Sequence, residues 1–405
     1  MKKTAKVVSL LMAGAMVLTS FAGCGNKTGT TSGDSSTGAI KIGGIGPLTG
    51  GAAIYGQAVK NAAELAVEEV NAKNDSVKFE LKFEDDENDA EKSVNAYNNL
   101  KDWGMQILMG TVTTKPCIAV SSVTNTDRIF QLTPSASSTD VLGGQPDKDG
   151  NVTIQRKDNV FQMCFTDPNQ GIASADYIKK QNLGTKVAVI YNNGDAYSTG
   201  IYQKFESEAK KLGLNIVSVT TFPDDTNSDF SAQLNDAKKN GADLLFLPIY
   251  YTPASLILTQ ASKMNYKPKF FGVDGMDGIL TVKNFDTKLA EDVMLLTPFT
   301  ADATDEKTQS FVKKYQEKYG DVPNQFAADV YDCVYALFDA CKAKGITADS
   351  KREDICSALI EQFTDSSFKV DGLTGTGMTW AASGEISKEP KGMVIKDGKY
   401  VGMDK

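Results

Sequence analysis

From residue 40 onward the chain alternates short apolar runs with longer stretches in which apolar residues recur every three to four positions. Residues 40–45 read as a strand and run into a Gly/Pro turn. Residues 57–71 read as a helix, because Val59, Ala62, Ala63, Ala66 and Val70 fall on one face. Phe79, Leu81 and Phe83 then alternate as in a strand, followed by a helix over 90–103 and a strand over 106–109. Pro116, after Thr113 and Thr114, suits the first turn of a further helix, and a strand follows over 129–132. A second series begins near Val160, with strands predicted over 187–191, 216–221, 244–248 and 270–272 and helices over 200–212, 229–240 and 254–264. A strand over 293–296, helices over 306–319 and 326–344, and a glycine-rich tail over 372–401 expected to form hairpins complete the chain. Repeated strand–helix alternation predicts an α/β protein with parallel sheets, and two such series predict two Rossmann-like lobes with a cleft between them.

The N-terminus has a different pattern. Lys2, Lys3 and Lys6 precede an uncharged apolar run over 7–18, shorter than the roughly 20 residues that span a bilayer, as expected of an export signal. Phe21-Ala22-Gly23-Cys24 resembles a bacterial lipobox, which implies cleavage before Cys24, lipidation of that cysteine and anchoring to the outer face of the cell membrane. Residues 25–38 are almost wholly Gly, Ser, Thr and Asn with isolated charges, the composition of a flexible tether.

Charge and composition narrow the function. The chain carries 43 Lys and Arg against 51 Asp and Glu; without the three lysines of the signal the balance is 40 against 51, a net charge of −11. Such acidity argues against a nucleic-acid partner. There is no histidine, which removes Ser-His-Asp and Cys-His catalysis and histidine metal ligation. Besides Cys24, the cysteines at 117, 164, 333, 341 and 356 are odd in number and lack metal-site spacing. Cys333 and Cys341 share a helix face but are separated by a rise of about 12 Å, too far for a disulfide. No catalytic residue, metal site or cofactor is expected.

Candidate chemistry gathers at predicted strand ends: Tyr55, Thr113-Thr114, Ser135 to Ser137, Tyr197, Tyr250-Tyr251 and Asp274. Ligands of open α/β sheets bind beyond the carboxyl ends of the strands, where helix N-termini offer N–H donors. Hydroxyls and helix ends opposed by a carboxylate and aromatic rings suit a zwitterion. Each residue also has an ordinary reading, as a cap for Thr114 or Ser137, a turn for Asp274 and packing for the tyrosines.

In order along the chain, Ile45-Gly46-Pro47-Leu48-Thr49-Gly50 with Tyr55-Gly56, Asp85-Asp86, Gly110-Thr111-Val112-Thr113-Thr114, Thr133-Pro134-Ser135-Ala136-Ser137, Pro248-Ile249-Tyr250-Tyr251, Gln260-Ala261 and Gly272-Val273-Asp274-Gly275 together resemble the leucine/isoleucine/valine-binding family of ABC-transporter receptors. The resemblance implies a type I periplasmic-binding fold with three crossovers, near 161–167, 296–299 and 370–376. One lobe would comprise 39–162 and 298–371, the other 163–297 and 372–405.

It also implies ligand roles. Thr114, nearby backbone N–H groups and Ser137 would hold the ligand carboxylate; the Ser135 carbonyl and Asp274 would hold its ammonium; Tyr55, Tyr197 and Tyr250 would wall the side-chain pocket. Pattern alone does not separate Tyr250 from Tyr251. Lys115 departs from the small residue common in the family, and would either face solvent or favour a ligand with an extra negative charge. The implied partners are a small amino acid, expected to be branched-chain, and the permease subunits of an ABC transporter; the mechanism needs no self-association, so a monomer is expected. The rival readings are a sensory receptor of the same fold that presents its ligand to a signalling protein, and, less favoured without a nucleophile elbow, an enzyme.

Overall fold

The computed structural model describes residues 38–403 apart from 74, 147–149 and 225–227. The expected signal segment, Cys24 and most of the tether lie outside the described residues. In chain order the elements are β1 (Ile40–Gly46), α1 (Ala53–Ala72), β2 (Phe79–Asp85), α2 (Ala90–Asp102), β3 (Ile107–Gly110), α3 (Thr114–Asp127), β4 (Phe130–Thr133), β5 (Val160–Gln162), α4 (Asp167–Lys180), β6 (Val187–Asn192), α5 (Ala196–Leu212), β7 (Ile216–Phe222), α6 (Ser231–Lys239), β8 (Leu244–Leu247), α7 (Tyr251–Lys263), β9 (Lys269–Gly272), β10 (Met294–Leu296), α8 (Glu306–Tyr319), α9 (Gln325–Lys344), α10 (Arg352–Thr364), β11 (Gly392–Lys396) and β12 (Lys399–Gly402).

Two sheets result. The first is parallel throughout, in the order β2-β1-β3-β4-β5. The second runs β12-β11-β10-β9-β8-β6-β7, parallel from β7 to β10 and closed by the antiparallel pair β11 and β12. Strands β3, β4 and β8 are buried at every position, as parallel strands covered on both faces must be. In each sheet the chain order reverses beside the first strand, between β1 and β3 and between β6 and β8. Their carboxyl ends meet at one cleft, which is where open α/β sheets place a ligand.

The helices begin and end where local chemistry dictates. Asp89 caps α2, accepting from the N–H groups of Glu91 and Lys92, and Gly213 closes α5 in the left-handed region at φ 66°. Helix α5 starts at Ala196, four residues before the predicted start at Gly200, because the Asp195 side chain accepts from Tyr197 N and caps it there. Helix α10 has no counterpart in the predicted elements; its amino end lacks a side-chain cap, and it is placed by packing, with Phe363 against Phe130 and Phe161.

The chain passes from the first sheet to the second between β5 and α4, and returns after β10. The stretch expected to make the third passage, 370–376, instead stays with the first sheet. Asp332 of α9 accepts from Leu373 N, Thr374 N and the Thr374 hydroxyl. Farther on, Gly384 O accepts from Gln162 N of β5, and Trp380 Nε1 donates to Gln162 O while packing on Phe363. The boundary expected at 371/372 therefore moves beyond Ile386, because this strap needs the open edge of β5 to satisfy its polar groups. Lys388, just after it, forms a 2.6 Å ion pair with Asp329 of α9 that is almost wholly buried. The cysteines at 117, 164, 333, 341 and 356 are free and buried.

Candidate functional site

The loops at the cleft are built to stay in place. After β3, the Gly110–Val112 loop is held from β4: Thr133 Oγ1 donates to Thr111 O at 2.6 Å, and Ser135 Oγ donates to Val112 O at 2.6 Å. The Ser135 hydroxyl is thereby spent on the scaffold. From the second sheet, the loop after β9 carries Asp274, whose N–H donates to Gln170 Oε1 and whose carbonyl accepts from Gln325 Nε2, each at 3.0 Å.

A narrow cavity of about 10 Å³, open to solvent, lies between these loops. Tyr55, Thr114, Ser135, Tyr197, Tyr250 and Asp274 all line it, together with Thr113 and Phe326. Ser137 is not in its wall: its carbonyl accepts from Asp167 N, and its hydroxyl faces Gln170 Nε2 at 3.5 Å. Tyr250 and Tyr251, indistinguishable by pattern, take different places. Tyr250 faces the cavity, while Tyr251 stands behind Tyr55 with its hydroxyl accepting from Ile54 N.

One tyrosine hydroxyl bridges the two sides of the cleft and a second braces the loop after β9 from within its own lobe. Tyr55, on α1, donates to Gly275 O at 2.5 Å and accepts from Tyr251 N at 3.3 Å. Tyr197 donates to Asp274 Oδ1 at 2.5 Å and accepts from Gly275 N at 2.9 Å. Burial pushes both phenols well above their ordinary range, so they remain neutral donors.

The site is rich in carboxylates, and among the described residues lining the cavity none is cationic. Burial raises Asp274 to about 7, against the opposing hydrogen bonds from Tyr197 and Gln170. Asp195 is raised to about 6, again by burial. Asp167, at the start of α4, is 1% exposed, and neither of its carboxylate oxygens has a hydrogen-bond partner. Burial drives it well above the usual carboxylate range, Ser137 opposes this, and Asp274 and Asp195 push it further. The Thr113 hydroxyl is likewise buried and unpartnered, although Thr113 is the N-cap residue of α3. Unsatisfied buried groups are expensive unless something else satisfies them. Sequence reading named Thr113 beside Thr114 but gave the ligand role to Thr114, and it passed over Asp167, whose only signal was Asp-Pro at a helix start, which also suits an ordinary cap.

Lys115 is outside the cavity. Its ammonium lies 3.0 Å from Asp224 and borders an outer chamber beside the cleft mouth. Lys115 is exposed to solvent, as the first of the two expectations has it, and it also pairs with a carboxylate of the opposite lobe. Among the described residues no helix is long and apolar enough to cross a membrane, and no cluster of His, Cys, Asp or Glu could hold a metal ion.

Residues 39–393 match the family described as periplasmic binding protein. The chain belongs to the periplasmic binding protein family. Among curated relatives of this periplasmic binding protein, Leu/Ile/Val-binding protein homolog 3 of Brucella melitensis is 29% identical over 375 residues, 90% of this chain and 94% of that one. Among solved structures, the branched-chain amino acid transporter substrate-binding protein LivJ of Streptococcus pneumoniae, in complex with isoleucine, superposes with a TM-score of 0.77 at 26% identity, covering 89% of this chain and 97% of that one. A solute-binding protein of an ABC transporter from R. palustris, in complex with benzoate, matches the fold at TM-score 0.77 and 20% identity over 90% and 96% of the two chains. These establish the type I periplasmic-binding fold, and the family implies an extracytoplasmic, solute-binding role.

Proposed function

We propose that this protein captures a free L-amino acid in the interlobe cavity and delivers it to the permease of an ABC transporter, held at the outer face of the membrane by lipidated Cys24. The observation that carries this reading is the buried Asp274 carboxylate in a cavity wall that has no cation among its described lining residues. An α-ammonium would pair with it through charge-assisted bonds. Opposite it, the N-terminus of α3 with the Thr113 and Thr114 hydroxyls offers donors to an α-carboxylate. Ser137 acts behind this group by holding Gln170, which in turn holds Asp274 N.

The same chemistry weighs against a benzoate-like ligand. An aromatic acid brings a carboxylate and no cation, so it would leave Asp274 unpaired while adding like charge. Binding to both lobes favours the closed arrangement by differential affinity, the form a permease would recognise.

A thermal-shift screen against the L-amino acids and simple benzoates tests this. Ligand at a hundred times its dissociation constant stabilises the folded state by about 2.7 kcal/mol. A shift with amino acids and none with benzoates supports the proposal; the reverse pattern discards it.

A further inference from the structure

A second cavity, of about 460 Å³ and open to solvent, lies between the lobes. Its size falls within the roughly 300–1000 Å³ of small-molecule sites. Ile54, Ala58 and Asn61, spaced along one face of α1, line it from the first lobe. The second lobe supplies Asp277 from the loop after β9 and Tyr400 from β12. An occupant would therefore touch both lobes without entering the inner cavity.

The lining has a definite chemistry. Phe299, Tyr315 and Tyr400 bring aromatic rings to it. Three carboxylates, Asp277, Asp302 and Asp321, face one ammonium, Lys399, among the described lining residues, and Lys399 is engaged by Asp302 at 3.1 Å. Asp277 is 1% exposed; its carboxylate accepts from Gln325 N at 2.9 Å and from the Tyr400 hydroxyl at 2.7 Å, neutral donors that fix its orientation and bring no positive charge. Burial raises this carboxyl above its ordinary range, and both bonds oppose the rise. Aromatic rings beside carboxylates with no free cation suit an organic ammonium.

Asp277 also ties this space to the inner cavity. Gln325, whose N–H it accepts, donates through Nε2 to Asp274 O at 3.0 Å. On α1 the neighbours Ile54 and Tyr55 line the second cavity and the inner one respectively.

Resting on the amino-acid reading of the inner cavity, we propose that the second cavity is an effector site for a small organic ammonium, which by contacting both lobes favours the closed arrangement and strengthens amino-acid binding. The coupling is reciprocal, so the amino acid strengthens ammonium binding by the same factor.

Isothermal titration with choline and benzyltrimethylammonium tests it, with 3,3-dimethylbutan-1-ol as the uncharged counterpart of choline. A quaternary nitrogen donates no hydrogen bond, so these probes do not mimic an α-ammonium. At least one cation is expected to bind at one site per chain, and choline about tenfold or more tighter than the alcohol. Val322→Trp, at the exposed rim of the second cavity, should block binding. Asp277→Asn, which keeps an acceptor for Gln325 N, should weaken it about tenfold; should D277N fail to fold, Asp321→Asn is expected to move it the same way. A saturating cation should raise affinity for the amino acid with the largest thermal shift by about fivefold or more, and Gln325→Met should cut that factor towards one. No binding of either cation, equal affinity for choline and the alcohol, or unchanged binding in V322W overturns the site. Binding that leaves amino-acid affinity unchanged overturns the coupling. Cation binding is read without any amino acid, so a parent that binds choline and no amino acid overturns the inner-cavity reading instead.

Discussion

Lys115, in the first turn of α3, and Asp224, just beyond β7, are joined at 3.0 Å across the mouth of the cleft. Asn192 Nδ2 steadies the same carboxylate at 2.6 Å. The Thr252 hydroxyl spans the gap as well, donating to Gly51 O at 2.7 Å. The Lys115–Asp224 and Thr252–Gly51 contacts exist only when the lobes are together, so they bias the closed state without touching the inner cavity.

Both members of that ion pair are half-exposed, and exposed pairs contribute about 0.2–1 kcal/mol and weaken with salt. Lys115→Ala is therefore expected to speed ligand release by up to about fivefold. Stopped-flow release rates should rise with salt in the parent and less so in the variant. The exchange Lys115→Asp with Asp224→Lys should restore slow release; if it behaves like the single variant, the pair does not latch the cleft.

Asp274 gives the protein a pH signature. Its ordinary value is 3.8, and burial raises it to about 7. Between those values the unfolded chain has released a proton that the unliganded native state still holds. Stability from this group is thus present at low pH and lost as pH rises toward 7, at up to about 1.4 kcal/mol per pH unit. A bound ammonium needs the ionised form, so ligand-induced stabilisation should grow from pH 5 to pH 8. Asp274→Asn should flatten that growth and weaken binding by about 2–5 kcal/mol, measured by titration at both pH values.

Asp167 should separate stability from binding. Removing an unpartnered buried carboxylate with Asp167→Asn is expected to stabilise the unliganded protein at pH 8 by about 1–3 kcal/mol while weakening the ligand. Urea unfolding and calorimetric titration of the same variant check both halves. A destabilised variant with full affinity would make Asp167 a structural residue.

The Lys388–Asp329 pair tests the third passage between lobes. With both side chains almost fully buried, Lys388→Met leaves Asp329 as a lone interior charge and should cost about 3–5 kcal/mol in urea unfolding. Adding Asp329→Leu should recover most of the loss, since burial already pushes that carboxyl up to about 6 beside its partner.

Local patterns carried much of the architecture. The apolar runs read as strands over 106–109 and 244–248 form the buried parallel strands 107–110 and 244–247, and Asp89 and Gly213 bounded helices through backbone chemistry that needs no distant partner. Tyr55, Thr114, Tyr197 and Asp274 were legible for a related reason: strand-to-helix loops fall at the carboxyl ends of a parallel sheet, whatever the rest of the chain does. Helix α10 was not legible, because aromatic packing against β4 and β5 places it rather than a cap or a strong stripe. Nor was the strap over 370–386, which depends on the free edge of β5, far away in sequence.

The sequence by itself determined the two α/β series, the acidic and histidine-free chemistry, and the loops from which a ligand site could be made, since each follows from residue type and short-range spacing. Only the tertiary structure decided that Tyr250 rather than Tyr251 faces the cavity, that Ser135 and Ser137 spend polar groups on the scaffold, that Lys115 pairs across the mouth, and that Asp167 is left without a partner. Those outcomes depend on which groups from opposite lobes fall within hydrogen-bonding distance, and the closing of one lobe on the other sets that distance.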